Sequence, residues 1–336
     1  MSTEPVPTRW GILATGRIAG SFVTDLRDVP GASVAAVGSR SAGGAERFVA
    51  EHGLDGARTH ASYADLVADP DVDVVYVASP HALHLEHALL ALAAGKHVLC
   101  EKPLVMNVAE AEQLVAAARE ADRFLMEAMW TACHPVVRAV VSGLEEGRFG
   151  IPRQVHASLG FRVEGTPDDR MFDPALGAGA LLDMGIYPLT LADLTLGPVE
   201  QAVAVADVDD RGVDQDVSVA TRHAGGGLGA LTASMTSASP RTAHVATDTG
   251  RLDFPDSFHH PTHVTWTPTG GEPERIEGLE PVLGSGLGNE ALHVAHCLRG
   301  GLRESPLVPH AMSLRLAAVM DDVRRQVGVT YAADGR

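Results

Sequence analysis

The sequence predicts an α/β protein of two domains, an N-terminal doubly wound parallel sheet followed by an α+β domain built on a mostly antiparallel open sheet. Three observations predict it. The 336 residues exceed one ordinary core and suit two domains of about 150 residues each. Over the first third, short apolar runs rich in β-branched residues alternate with segments of helical periodicity, the signature of repeated βαβ units. From residue 154 onward, strand-like runs follow one another with few helices between them, as in an antiparallel sheet.

In chain order the expected strands of the first domain are 10–14, 33–38, 72–78, 96–100 and 124–127. The helices between them are 17–28, 42–52, 82–94 and 108–121, each with Leu, Val or Ala recurring at three and four residues. The run VDVVYVAS is apolar on both faces, as a strand covered by helices on both sides must be. Asn107 followed by Glu110 reads as a capping box. A helix over 136–146 precedes a Gly and Pro cluster at 147–152, where the pattern changes. The second domain carries expected strands 154–161, 201–207, 216–223, 228–235, 241–247 and 251–254, a helix over 181–196 among them, and closing helices over 290–298 and 311–327. Residues 1–128 are therefore assigned to the first domain and 129–336 to the second, with 134–147 bridging and the last helices packing back on the first.

Composition excludes several functions. Lys plus Arg number 26 against 43 Asp plus Glu, a formal charge of −17, which disfavours a nucleic-acid or anionic-membrane partner. Apolar residues at 45% and charged residues at 21% describe a folded soluble chain rather than a disordered one. The longest stretch without an ionisable Asp, Glu, Lys or Arg, 223–240, is rich in Gly, Ser, Thr and Ala and lacks the apolarity of a membrane span. The start MSTEPVPTRW has no basic, apolar and small-residue succession, so export is not expected. Three Cys, at 100, 133 and 297, are too far apart for a framework of disulfides or a zinc site. A reducing, cytoplasmic setting follows from this reading. His259, His260 and His263 lack the Cys or acid that would complete a metal site and read as a solvated loop.

WGILATGRIA, residues 10–19, is a strand, a turn and a helix start, where backbone amides and the helix dipole can receive a pyrophosphate. The three glycine positions of the dinucleotide fingerprint fall on Ala14, Gly16 and Ala19. Ala14, Thr15, Gly16, Arg17 and Ile18 are the expected phosphate-loop contacts. The second strand ends Val37-Gly38-Ser39-Arg40, with no acid for a ribose 2′-hydroxyl. Ser39 and Arg40 offer instead a hydroxyl and a fixed cationic fork suited to a 2′-phosphate, which favours NADP over NAD.

Glu101-Lys102-Pro103 follows the strand 96–100 at the carboxyl edge of the sheet, where ligands of open α/β folds bind. GAGALLDMGIY, residues 177–187, sets Asp183 and Tyr187 four apart, on one face if that segment is helical. Pro188 predicts a break at Tyr187.

With GILATGRIA, ASPHALHLEHALLALAAGKHVLCEKPL, FLMEAMW and GAGALLDMGIYPL in this order and spacing, the chain resembles, over nearly its whole length, the glucose-fructose oxidoreductase and inositol dehydrogenase family, Gfo/Idh/MocA. Many members have His where this chain has Tyr187. That Tyr and the stretch from Trp130 to Pro135 are more similar to the branch of dimeric dihydrodiol dehydrogenases and NADP-linked D-xylose dehydrogenases.

The resemblance implies an N-terminal Rossmann domain and a C-terminal open sheet whose outer face commonly pairs two subunits, hence a homodimer or higher homo-oligomer. It assigns catalysis to Lys102 and Tyr187, with Asp183 positioning the substrate or Lys102. A phenol with an ordinary pKa of about 10 is a poor base near neutrality, and a neighbouring ammonium favours its ionised form. The resemblance also places Ser79, Pro80, His84 and Glu101 beside the nicotinamide and its ribose, and makes Trp130 a wall of the substrate pocket. Two departures stand out: Ala14 for the first glycine, and Ala132-Cys133 where many relatives have Arg-Phe. Arg162 or Arg170 are the candidates for the missing charge, Arg162 being assigned to the substrate pocket. Cys133 reads as a packing residue.

The expected function is an NADP-dependent oxidoreductase moving a hydride between nicotinamide and a secondary alcohol or carbonyl of a sugar, cyclic polyol or trans-dihydrodiol. A catalytically silent NADP-binding regulator on the same fold is the alternative from another class. The intact Lys102, Asp183 and Tyr187 set favours the enzyme. An NAD-linked inositol-type dehydrogenase is disfavoured by Tyr187 and Arg40.

Overall fold

A computed structural model of the chain describes residues 7–40, 42–166 and 169–335. The first six residues of the N-terminal segment discussed above lie outside them. The chain divides into two compact units. The first comprises Met1–Val105, Ala109–Cys133 and Val282–Ser313; the second comprises Met106–Val108, His134–Pro281 and Leu314–Arg336.

In the first unit β1 (Thr8–Leu13) leads into α1 (Arg17–Asp25), β2 (Ala32–Gly38), α2 (Ala42–Glu51), β3 (Arg58–His60), α3 (Tyr63–Ala68), β4 (Val74–Val77), α4 (His84–Ala93), β5 (His97–Glu101), α5 (Val108–Glu120), β6 (Leu125–Ala128) and the short α6 (Trp130–Cys133). The strands form one sheet in the order β3-β2-β1-β4-β5-β6, every pairing parallel. Sequence order therefore reverses between β1 and β4, the switch point at which open α/β sheets bind ligands. β4 is buried at every residue, as a strand covered on both faces requires. The predicted parallel sheet is present, with β3 and α3 as additions. Ser62 caps α3 by accepting from the Asp65 amide at 3.0 Å.

Trp10, Phe22 and Tyr76 form the aromatic core under this sheet's switch point, Phe22 stacking on Tyr76 at 3.9 Å between ring centroids. The later helix α9 (Leu287–Arg299) packs on α1 and α6. Its first turn is held by Asp25 at the end of α1, which accepts from the Ser285 amide and hydroxyl, both at 2.7 Å, and from the Leu287 amide at 3.1 Å. A carboxylate at a helix N-terminus satisfies amides that have no intrahelical partner and meets the positive end of the dipole.

The second unit begins with α7 (Pro135–Glu145) and β7 (Pro152–Gly160), passes through a wide π turn at Leu181–Gly185 into α8 (Ile186–Leu196), and continues as β8 (Val199–Val208), β9 (Asp214–His223), β10 (Leu228–Ser234), β11 (Ala243–Thr247), β12 (Gly250–Phe254), β13 (Val264–Pro268) and β14 (Glu274–Ile276). The chain then forms α9 (Leu287–Arg299) in the first unit and α10 (His310–Val327), whose residues from Leu314 belong to the second. The eight strands order as β14-β13-β12-β11-β7-β10-β9-β8. β7 and β10 pair parallel and every other neighbour pair antiparallel. The predicted mostly antiparallel sheet is extended by β13 and β14.

α8 crosses β7 and β10 and covers one sheet face, where Val155, Leu159, Val217, Val219, Leu231 and Ala233 are buried. It is apolar all round and nearly every residue is buried, the mark of a core helix. The segment Pro174–Leu196 is long and apolar enough to cross a membrane, yet 83% of its most apolar window is buried within the protein. The opposite sheet face is open: Val203, Val205 and Leu228 are 56%, 70% and 46% exposed.

One local expectation is corrected here. The helix does not break at Tyr187, because α8 runs through Pro188. The wide turn just before it moves the carbonyl four residues back away from the pyrrolidine ring, relieving the clash that otherwise ends a helix. At the start of α5, Asp321 accepts from the Val108 amide at 2.9 Å while the Asn107 amide group donates to Asp334 at 3.2 Å. A carboxylate of α10 thus serves this helix start beside Asn107, whose side-chain NH2 is taken up by Asp334.

Candidate active site

The residues singled out from the sequence fall in both units. At the switch point of the first, the chain leaves β1 at Ala14, whose φ of 78° lies in the left-handed region. Gly16 then starts α1 with φ −77° and ψ 176°, with no side chain capping the helix and no acid in its first turn. A Cβ placed on Gly16 would meet nothing closer than the Ala78 carbonyl oxygen at 4.0 Å. Gly16, Arg17 and Ile18 are exposed and Ala14 and Thr15 half-buried, while Ala19 is fully buried against the sheet. Open helix amides beside unfilled space fit a dinucleotide's pyrophosphate.

Beyond β2, Ser39 is half-buried and Arg40 exposed. Tyr63 is held above its ordinary pKa by burial, against which the Arg40 charge pulls it down. His87 is held low by burial, with Arg40 adding to the effect. The Arg40 guanidinium therefore works beside the Tyr63 and His87 rings, which meet edge to face at 4.7 Å. The acid-free end of β2 thus presents an exposed cation.

Beyond β4, Ser79 is buried and Pro80 half-buried. The Ser79 hydroxyl bonds the His87 Nδ1 at 2.9 Å. His84 is fully buried, Nδ1 at 2.9 Å from the Pro103 carbonyl oxygen and Nε2 at 2.8 Å from that of Ser79. Burial pushes its imidazole down to about 4, against two carbonyl acceptors that favour the protonated ring. His84 thus ties the turn after β4 to the turn after β5 and has no exposed face of its own for a ligand.

Lys102, 9% exposed, directly follows β5. Glu101 accepts a short hydrogen bond from the Tyr76 hydroxyl and, at 3.2 Å, one from the Lys102 amide. Glu127 of β6 accepts from the Leu104 amide at 2.9 Å and the Ser313 hydroxyl at 2.5 Å. Burial raises its pKa while those bonds and the Lys102 charge lower it. Trp130, half-buried, opens α6. Glu290 of α9 is fully buried with neither carboxyl oxygen hydrogen bonded among the described residues. Burial, then the charges of Glu101 and Asp25, hold it well above the usual carboxyl range.

In the second unit Tyr187 lies in the first turn of α8, 8% exposed. Its ring meets that of His259 at 4.8 Å, and His259 meets His260 at 4.4 Å. His259 and His260 are half-buried, and burial lowers the His260 pKa. The expected solvated histidine loop is thus corrected: two of the three line the wall against Tyr187. Asp183 lies in the wide turn, 3.4 Å from the Arg170 guanidinium. Arg162 is exposed, and Arg170 reaches Asp183. Among the described residues no group of three or more His, Cys, Asp or Glu could hold a metal ion.

Residues 8–129 match an oxidoreductase family with an NAD-binding Rossmann fold, and residues 137–253 match the Gfo/Idh/MocA C-terminal domain. The chain belongs to the Gfo/Idh/MocA family and is an NAD(P)-dependent oxidoreductase. Among its relatives, the trans-1,2-dihydrobenzene-1,2-diol dehydrogenase of Mus musculus is 38% identical over 342 residues, covering 98% of this chain and 99% of the relative. That of Oryctolagus cuniculus is 39% identical, covering 96% and 99%. A 3-ketoreductase from Actinomadura kijaniata, solved in complex with NADP and TDP-benzene, is similar with a TM-score of 0.84 and 31% identity, covering 97% of this chain and 99% of the other.

Proposed function

We propose that the protein is an NADP-dependent dehydrogenase of a secondary alcohol, run in reverse as a carbonyl reductase, on a trans-dihydrodiol or sugar-type substrate. The observation that carries this is a buried Tyr187 walled by His259 in a chain matched end to end by dihydrodiol dehydrogenases. The NADP-bound ketoreductase supports the same chemistry.

Ala14 to Ile18 would hold the pyrophosphate, and Ser39 and Arg40 the 2′-phosphate. When bound, the cofactor supplies a hydride acceptor or donor. Tyr187 takes the hydroxyl proton of the substrate in oxidation and returns a proton to the carbonyl oxygen in reduction. The Lys102 ammonium favours the phenolate. Glu127 and His84 hold the turn that carries Lys102. Asp183, paired with Arg170, positions the substrate, and Trp130 walls it.

A homodimer through the open face of the β7-β10-β9-β8 sheet completes this reading, supported by the exposed Val203, Val205 and Leu228. Three buried free cysteines, with Cys297 pushed up to about 11 by burial, suit a reducing cytoplasm.

Tyr187→Phe keeps the packing and removes the proton carrier, so turnover falls by about 10² to 10⁴ while NADP affinity holds. A phenylalanine variant with near wild-type turnover overturns the assignment. Lys102→Ala is similarly severe, its residual activity moving to higher pH. Arg40→Asp weakens NADP through a lost charge-assisted contact and leaves NAD little changed; equal loss for both cofactors in steady-state kinetics removes Arg40 from the 2′-phosphate.

A further inference from the structure

We propose that Asp214 is a positioning residue for Tyr187: its carboxyl anchors the start of the wide turn from which α8 issues, and its charge state grades turnover. The inference rests on the acid/base reading of Tyr187.

Asp214, the first residue of β9, is 1% exposed. Its Oδ2 accepts from the Leu181 amide at 2.6 Å. That amide opens the Leu181–Gly185 turn, where helix-start amides lack intrahelical partners and carry the positive end of the dipole. The other carboxyl oxygen, Oδ1, is buried without a hydrogen bond and lies against Gly179. A Cβ there would sit 2.2 Å from this Oδ1 and 2.9 Å from the Tyr331 hydroxyl. Gly179 also holds φ 139°, a backbone state that side chains disfavour. The Tyr331 hydroxyl donates to the Ala178 carbonyl oxygen, so the strand of backbone leading to Tyr187 is gripped from both sides.

Burial pushes Asp214 up to about 7, partly offset by the bond from Leu181 and by Arg324 of α10; Asp209 acts in the raising direction. Tyr331 is the remaining titratable group against it, and the Asp214 charge helps raise that phenol. A proton on Oδ1 leaves the Leu181 bond in place, whereas ionisation puts charge on an oxygen buried with no hydrogen bond among the described residues. The closed turn is therefore held more firmly when Asp214 is protonated.

Carbonyl reduction separates the two groups. It needs Tyr187 protonated, so its basic limb belongs to Tyr187, and the limb near neutrality belongs to Asp214. The test is turnover against pH in the reductive direction for wild type and Asp214→Asn, with KM and NADP affinity measured separately. Wild type should lose about threefold to tenfold in kcat as pH rises through 7. The Asn variant should stay flat there at the wild-type low-pH level, with its basic limb and NADP affinity unchanged. A variant that retains the neutral limb overturns the proposal.

Should Asp214→Asn not fold, hydrogen exchange of wild-type peptides spanning residues 178–187 decides the matter. After correction for intrinsic exchange, protection should fall as pH rises through 7, and a pH-independent protection overturns it. If Tyr187→Phe retains turnover, the acid/base reading fails, while the exchange step still tests the anchor by itself.

Discussion

Ala14 sits where the dinucleotide fingerprint places glycine and keeps a glycine's backbone, φ 78°. The left-handed region costs an L residue about 1–2 kcal/mol and costs glycine almost nothing. Ala14→Gly is therefore expected to stabilise by about 1 kcal/mol, seen calorimetrically as a rise of about 2–4 °C in Tm. NADP affinity should be retained, since the loop already has the shape that glycine allows. A lower Tm for the glycine variant would show that Ala14 is not strained. The sequence displayed Ala14, Lys102, Asp183 and Tyr187 because each sits inside a local string of recognisable chemistry. Asp214 carried no such string, Glu127 sat inside FLMEAMW without a role of its own, and His259 read as part of a solvated loop. Asp214 meets Leu181 across 33 residues and Glu127 meets Ser313 across 186, and partners so remote leave no local spacing to read.

Among elements, β4 was legible because burial on both faces forces an unbroken apolar run. β3, Arg58–His60, is a half-exposed edge of three polar residues, so no alternation marks it. β13 and β14 stand beyond a histidine segment without periodicity, and β14 is only three residues long. The wide turn before α8 was hidden for another reason: a π turn shares its composition with an α-helix and differs only in hydrogen-bond register. That turn also couples stability to pH. Asp214 rises from 3.8 to about 7 on folding, so the folded state holds its proton more tightly than the unfolded chain. Its contribution to stability is complete below about pH 3.8 and is lost as pH rises through 7. Asp214→Asn removes that loss, by at most a few kcal/mol. The Tm of the variant minus that of wild type should climb between pH 4 and 7 and then level off. A difference that does not change with pH would show that the carboxyl is already ionised when folded.

For the whole molecule, the proposed dimer rests on the open sheet face. Val203 and Val205 project from β8 at 56% and 70% exposure, an apolar cost in a chain that carries a net −17 charge elsewhere. In the proposed dimer, Val205→Glu would bury an unpaired charge. Sedimentation velocity should find wild type at twice 35.2 kDa and the glutamate variant at the single mass. A wild-type protein that sediments as a monomer at all concentrations removes the dimer.

The discontinuity of the first unit has a bearing on how the protein is made. Its parallel sheet is complete by residue 128, yet α9 at Leu287–Arg299 belongs to the same unit and packs on α1 and α6. Asp25, waiting at the end of α1, finds its amide partners only when Ser285 and Leu287 have been synthesised. A ribosome adding about 5–20 residues per second leaves the cofactor unit unfinished for many seconds after its sheet has emerged. During that interval the faces of α1 and α6 that α9 later covers stand open to chaperones, and a fragment ending at residue 133 would carry them exposed for good.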